Sequence, residues 1–192
     1  MGSMTQWPNP FYPQAAAVFR IDAAALRPHN RGQMVVYLSG AIEYAPDCGK
    51  GWRAALTPQL EALGHRVYDP AADERKNLTE LEVREFREWK RTDRERFRAT
   101  VRKIVQWDLD WIEHKADCVV AYWDEYAQRG AGSQAEITLA HRRGIPVYLV
   151  TPLSTDEVSG WILACATEIF GSVEELCGFL TLAREATAVS NR

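Results

Sequence analysis

The chain has 192 residues, 46% of them hydrophobic, and a formal net charge of −3. That length suits one domain with a full core, and the charge supplies no basic field of the kind that binds nucleic acid. No apolar run approaches the roughly 18–20 residues of a membrane span, and the start lacks the basic-then-apolar layout of a signal peptide, so a cytoplasmic protein with no membrane partner is expected.

Residues 1–32, rich in Pro, Ala and Asn, predict an irregular N-terminal arm ahead of a domain over 33–192. Met34–Gly40 is a short apolar run ending in glycine, the pattern of a buried strand. Trp52, Leu56, Leu60 and Leu63 recur at helical spacing up to Gly64, which predicts a helix and its stop. HRVYDP predicts a second strand ended by Pro70, and CVVAYW (118–123) a third. Ser133–Arg143 is a helix closed by Gly144, followed by a fourth strand in IPVYLV. A helix over Asp156–Ala164, a short strand near Thr167–Phe170 and a helix over Val173–Ala186 complete the chain. Strands alternating with helices imply a doubly wound parallel sheet, five-stranded here, covered on both faces.

One segment breaks the rhythm. Residues 73–103 are densely charged, with Arg and Lys slightly outnumbering Asp and Glu and with Phe86, Trp89 and Phe97 interleaved. They predict a charged helical insertion, either solvated helices laced with i,i+4 ion pairs or a lid whose aromatics stack on a base and whose arginines meet a phosphate. The four cysteines (Cys48, Cys118, Cys165, Cys177) are scattered, without a CxxC or a histidine cluster, and are expected to be reduced thiols, mostly packing residues, with no metal site. SGAIEYAPDCGKGW and YAQRGAGSQAE fall short of a GxGxxG or P-loop pattern, so no dinucleotide or ATP cofactor is expected.

Three residues stand out chemically. Ser133-Gln134-Ala135-Glu136 fits the S-x-x-E capping box, in which Ser133 caps the helix and Glu136 reaches back. The same helix opens at the carboxyl edge of the sheet, where ligands of doubly wound folds sit, so Glu136 is alternatively a candidate nucleophile. Asp108 lies seven residues after Val101 and four before Ile112, within a stripe shared by Ile104 and Val105; a carboxyl on such a face is costly unless paired, bonded or used. Burial would raise its pKa, as a proton donor requires. Asp110 points elsewhere. Tyr37, near the end of the first strand, is either a core tyrosine with a satisfied hydroxyl or part of the site, and Ser39, Gly40 and Glu43 form the loop at that edge.

VYLSGAI (36–42), Trp52, VYDP (67–70), WDLDWIEHKADCVVAYW (107–123) and GAGSQAEITLAHRRGIPVYLV (130–150) together resemble the nucleoside 2-deoxyribosyltransferase family. The resemblance implies a flavodoxin-like (Rossmann-like) sheet and cleavage of the N-glycosidic bond of (deoxy)nucleosides or nucleotides without a cofactor. It places the family's nucleophilic glutamate, in its G-[ST]-x-x-E turn, at Glu136. It places the acid of a D-L-x-x-[IL] helix at Asp108, and the tyrosine that orients the nucleophile at Tyr37. Ser39, Gly40, Ile42, Trp52, Asp69, Arg129, Gly132 and Ser133 become the expected substrate-binding residues. Members acting on free nucleosides often carry an aspartate six residues before the glutamate; here that position is Gly130, beside Arg129. The 5′ group is therefore open: Arg129 could meet a phosphate, or Asp124 could replace the missing carboxylate. The resemblance also implies a small-molecule nucleoside or nucleotide partner and a homodimer or higher homo-oligomer. Its central spatial expectation is that Asp108 and Glu136 face each other across a sugar-sized crevice.

Overall fold

Five apolar runs assemble into one sheet of order β2-β1-β3-β4-β5, parallel at every pairing. The structure, a computed structural model, describes residues 33–73 and 75–190, with side chains to 185; the expected arm over 1–32 lies outside them. The strands are β1 (Val35–Gly40), β2 (Arg66–Tyr68), β3 (Cys118–Tyr122), β4 (Val147–Val150) and β5 (Glu168–Phe170). The order makes a flavodoxin-like α/β fold and reverses direction between β1 and β3, which opens a crevice at the carboxyl ends of those two strands.

The period-2 alternation of a strand sorts the core into two layers. Tyr37, Val119, Ala121, Val147 and Leu149 face one side, where Ile112, Ile137 and Ile162 cover them. Val36, Leu38, Cys118, Val120, Tyr148 and Val150 face the other and meet Leu56, Leu60, Leu176 and Leu180. The covering helices are therefore α3 (Arg94–His114), α4 (Ala131–Arg143) and α5 (Gly160–Cys165) on the first face, with α1 (Lys50–Ala62) and α6 (Val173–Ser190) on the second. Cys118 and Cys165 are buried packing residues, whereas Cys48 is exposed, and all four thiols are free. No helix among the described residues is long and apolar enough to cross a membrane.

The charged segment forms α2 (Glu80–Thr92) and the first part of α3. Asp93 ends one helix and caps the next, its carboxylate accepting from Arg96 N at 3.0 Å. A reciprocal capping box opens α2 at Thr79 and Glu82. The ion pairs mostly tie elements together instead of running i,i+4 along one helix: Lys103 of α3 to Glu82 of α2, and Lys90 of α2 to Glu43 of the β1–α1 loop. The interleaved aromatics sit under cations of their own segment, Trp89 under Arg96, Phe86 under Arg87 and Phe97 under Lys90. Because α3 runs unbroken to His114, the helix that carries Asp108 is the continuation of this segment.

Some local expectations need correction. Val105, placed on the core stripe with Ile104, is 49% exposed, because the stripe is one residue narrower than the sequence suggests. The helix expected over Asp156–Ala164 is confined to Gly160–Cys165, with Ser159 capping it through Trp161 N at 3.3 Å.

Gly40 ends β1 beneath the ring of Trp52. A Cβ there would lie 2.8 Å from Trp52 Cζ2 and 3.1 Å from the Tyr122 carbonyl oxygen, and the indole is itself stacked on Tyr122. Neither neighbour is a flexible chain end, so Gly40→Ala is expected to destabilise the protein by about 1–3 kcal/mol through overpacking. Urea unfolding midpoints at equal m-value check this; a midpoint unchanged from wild type contradicts it.

Candidate active site

Tyr37 and Ser39 project from β1 on the face covered by α3 and α4, both fully buried. Each donates its hydroxyl to one carboxylate: Tyr37 Oη to Glu136 Oε1 at 2.9 Å, and Ser39 Oγ to Glu136 Oε2 at 2.6 Å. Both oxygens of Glu136 are thus held, and the half-buried side chain has a single orientation over the crevice. Burial foremost, then the charges of Glu136 and Asp108, push the Tyr37 hydroxyl well above its ordinary pKa, so it remains a proton-bearing donor at neutral pH.

The capping box expected at Ser133 does not form. Gly130, in extended conformation, precedes the helix, which begins at Ala131. Ser133 is therefore a buried residue inside the first turn, and Glu136 falls in the second turn. With no Ser133 cap for it to complete, Glu136 reaches instead to the hydroxyls of β1, 97 and 99 residues away in sequence.

Asp108 is buried on α3. Desolvation pushes its carboxyl up to about 6, against the opposing pull of Lys76, with the charges of Glu136 and Asp73 adding to the rise. The Glu136 charge is thus felt at Asp108, which puts both carboxyls within one electrostatic neighbourhood. Lys76 Nζ contacts both Asp108 oxygens at 2.6 Å. Nothing in the sequence pattern singled Lys76 out, because it lies in the stretch that resembles a solvated charge run. Asp73, Tyr68 and Trp107 complete the surround. Tyr68 Oη donates to Asp73 Oδ2 at 2.8 Å, and Trp107 Nε1 lies 2.9 Å from Tyr68 Oη and 3.2 Å from Asp73 Oδ2. Tyr68 also stacks on Trp111 with ring centroids 3.8 Å apart, and its ring lies 5.5 Å from that of Tyr37.

Arg53 is a second group that the sequence pattern did not flag. Its side chain is 1% exposed, and its guanidinium donates to the Gly49, Gly40 and Ala41 carbonyls at 2.9, 3.0 and 3.2 Å. Its Nε stands 3.2 Å from Asp69 Oδ1, close enough for an ion pair but not aligned for a hydrogen bond. Burial works against its charge, while Asp69 and Glu136 favour it. Arg53 thus gathers the loop after β1 and sets a buried cation whose charge is favoured by Asp69 and Glu136.

The other expected residues divide by place. Asp69 supports Arg53 and accepts from Ala71 N at 2.8 Å. Trp52 packs against Gly40 on the opposite layer of the core. Ile42 is half-buried in the loop after β1, and Gly132 is exposed, with nothing near enough to forbid a side chain. Arg129 is exposed, its guanidinium 4.9 Å from the Tyr44 ring centroid. Asp124 Oδ1 is occupied by Tyr126 N and Ala127 N at 3.1 and 2.8 Å, holding the turn ahead of α4. A surface groove of about 620 Å³ between α4 and Trp161 includes neither Glu136 nor Asp108. Near the end of α3, Asp110, Glu113 and His114 bring ligand-type atoms within 4.8 Å of one another, but Glu113 is already paired with Arg143.

No family model matches the sequence, and no curated protein matches it. Solved structures do. A 2-deoxyribosyltransferase from Bacillus psychrosaccharolyticus is 17% identical, with a TM-score of 0.48 over 74% of this chain and 89% of its own. A CMP N-glycosidase from Clostridium botulinum is 16% identical, with a TM-score of 0.46 over 77% of this chain and 98% of its own. Likenesses at this level do not speak for chemistry, so what the site can do rests on its side chains.

Proposed function

We propose that this chain cleaves the N-glycosidic bond of a (2′-deoxy)nucleoside through a glycosyl ester on Glu136 and transfers the sugar to another nucleobase. The observation that carries the reading is the unequal pair of carboxyls. Glu136 is fixed by two hydroxyls at the sheet edge. Asp108, on which the Glu136 charge acts, is buried, with its carboxyl pushed up to about 6. Two carboxyl groups in unlike surroundings are what a retaining glycosyl transfer employs, one as nucleophile and one as acid.

In the first half-reaction a Glu136 oxygen attacks the anomeric carbon while the C–N bond breaks. The bonding pair leaves with the base, and the Asp108 proton goes to that base. In the second, a nitrogen of the incoming base attacks the same carbon, releasing Glu136 and returning a proton to Asp108. Tyr37 and Ser39 hold the nucleophile in register throughout, which lowers the entropic part of the barrier. The reading needs no metal or organic cofactor and no nucleic-acid partner. It carries with it a cytoplasmic homodimer or larger assembly.

Arg129 favours a second reading, hydrolysis of a nucleoside 5′-monophosphate with water as acceptor. The guanidinium makes no ion pair among the described residues, and Asp124, the alternative contact for a 5′-hydroxyl, has one oxygen committed to its own turn. Incubation with deoxyadenosine plus cytosine, and separately with deoxynucleoside monophosphates in water, separates the readings. New nucleoside supports transfer, and free base from the monophosphate supports hydrolysis. Neither product refutes both and favours a non-catalytic nucleotide sensor.

A further inference from the structure

The charged segment reaches Asp108 directly through Lys76. Lys76 Nζ lies 2.6 Å from each oxygen of Asp108, and the side chains of this pair are 8% and 13% exposed. The ammonium is delivered by a backbone that resists it: Lys76 has φ +39°, in the left-handed region that L residues enter at a cost. Asp73 holds that turn, its Oδ1 accepting from Lys76 N at 3.0 Å. Asp73 Oδ2 is in turn bonded by Tyr68, whose ring lies against that of Tyr37. A strained residue pinned by a network that extends to the nucleophile's own partner indicates a placed charge, since a surface lysine needs none of this.

We propose that Lys76 is a positioning residue that sets the pH range over which Asp108 carries its proton, so that the inserted segment controls the acid of the reaction. The proposal rests on the glycosidic reading above. Among the described residues, Lys76, Glu136, Asp73, Tyr37 and Tyr68 are the charged and titratable groups with a resolved influence on or from Asp108. Lys76 is the only cation among them. Glu136 and Asp73, like burial, favour the protonated acid, and the ammonium alone opposes them. The acid form is present below about pH 6 and is lost as pH rises through that value. Removing a cation from beside a carboxyl favours the neutral form, so the loss must move to higher pH.

The test compares full-length wild type with Lys76→Gln and Lys76→Arg. Carbon-13 NMR follows the Asp108 carboxyl, assigned with Asp108→Asn, and kcat/KM is measured against pH on whichever substrate the wild type cleaves. In Lys76→Gln the Asp108 midpoint is expected to move up by about 1–3 pH units, and the alkaline limb of kcat/KM to move with it. Lys76→Arg should keep both near wild type. A merely structural lysine would lower activity at all pH values alike and leave the limb in place. An unmoved midpoint in Lys76→Gln overturns the proposal, and so does a moved midpoint with an unmoved limb. If Lys76→Gln does not fold, Lys76→Arg decides: a wild-type midpoint and limb support the role of the charge, and a shift in either overturns it. A wild type that cleaves nothing, while Asp108 still titrates under Lys76, overturns the glycosidic reading and leaves the control of the proton standing.

Discussion

Glu136→Ala is expected to lower turnover by about 10⁴-fold or more while the chain stays folded. Loss of a nucleophile removes the covalent route itself, and knockouts of such groups elsewhere cost factors of that order or larger. The fold should survive for a countable reason. Truncation leaves the Tyr37 and Ser39 hydroxyls without their acceptor, a penalty of about 1–3 kcal/mol for each buried group left unpaired, against a total stability of about 5–15 kcal/mol. Glu136 itself is only half-buried, so water can enter the space its carboxylate leaves and bond both hydroxyls, and the lower end of that penalty, about 2 kcal/mol for the two together, applies. Glu136→Gln is the gentler comparison, since the hydroxyls can rotate to suit an amide and the carboxylate is still lost. Single-turnover assays with enzyme in excess over nucleoside check both variants. Activity within tenfold of wild type in either would remove Glu136 from the chemistry and return it to a packing role.

How far the sequence revealed this arrangement depended on whether a residue's neighbours shared its pattern. The three central strands were legible because each is buried on both faces and so appears as a nearly unbroken apolar run, as in Cys118–Tyr122, whereas the half-buried edge strands β2 and β5 were marked by their short apolar stretches and their place in the strand–helix alternation. Asp108 was legible because a carboxyl among Val101, Ile104 and Ile112 is a local contradiction. Tyr37 and Glu136 were singled out, but their hydrogen bond spans 99 residues, and no local pattern encodes it. The S-x-x-E stretch even pointed to the wrong partner, because nothing local announces that the helix starts two residues before Ser133. Lys76 and Arg53 were hidden for a different reason. A lysine in a charged stretch and an arginine on an amphipathic helix both look solvated. Each is buried only because distant groups, Asp108 for one and the carbonyls after β1 for the other, supply partners in the folded chain.

Asp108→Asn is the variant in which chemistry and stability must be pulled apart. As proton donor, Asp108 is expected to contribute about 10²–10⁴-fold, and most to bases that depart poorly unless protonated. Substrates with activated leaving groups should lose much less, and an equal loss on both kinds counts against the proton-donor role. The same substitution strips Lys76 of its counter-charge in a setting where only 8% of its side chain is exposed. Breaking a buried pair from one side typically costs about 3–5 kcal/mol, so Asp108→Asn alone should also be less stable. Adding Lys76→Gln removes the stranded ammonium and should recover most of that stability. It restores no acid, so the leaving-group dependence should persist in the double variant. Thermal melts alongside kcat/KM for a poor and an activated leaving group measure both effects. If the double variant regained activity together with stability, the loss in Asp108→Asn would have come from the stranded lysine, and the assignment of Asp108 as the acid would fail.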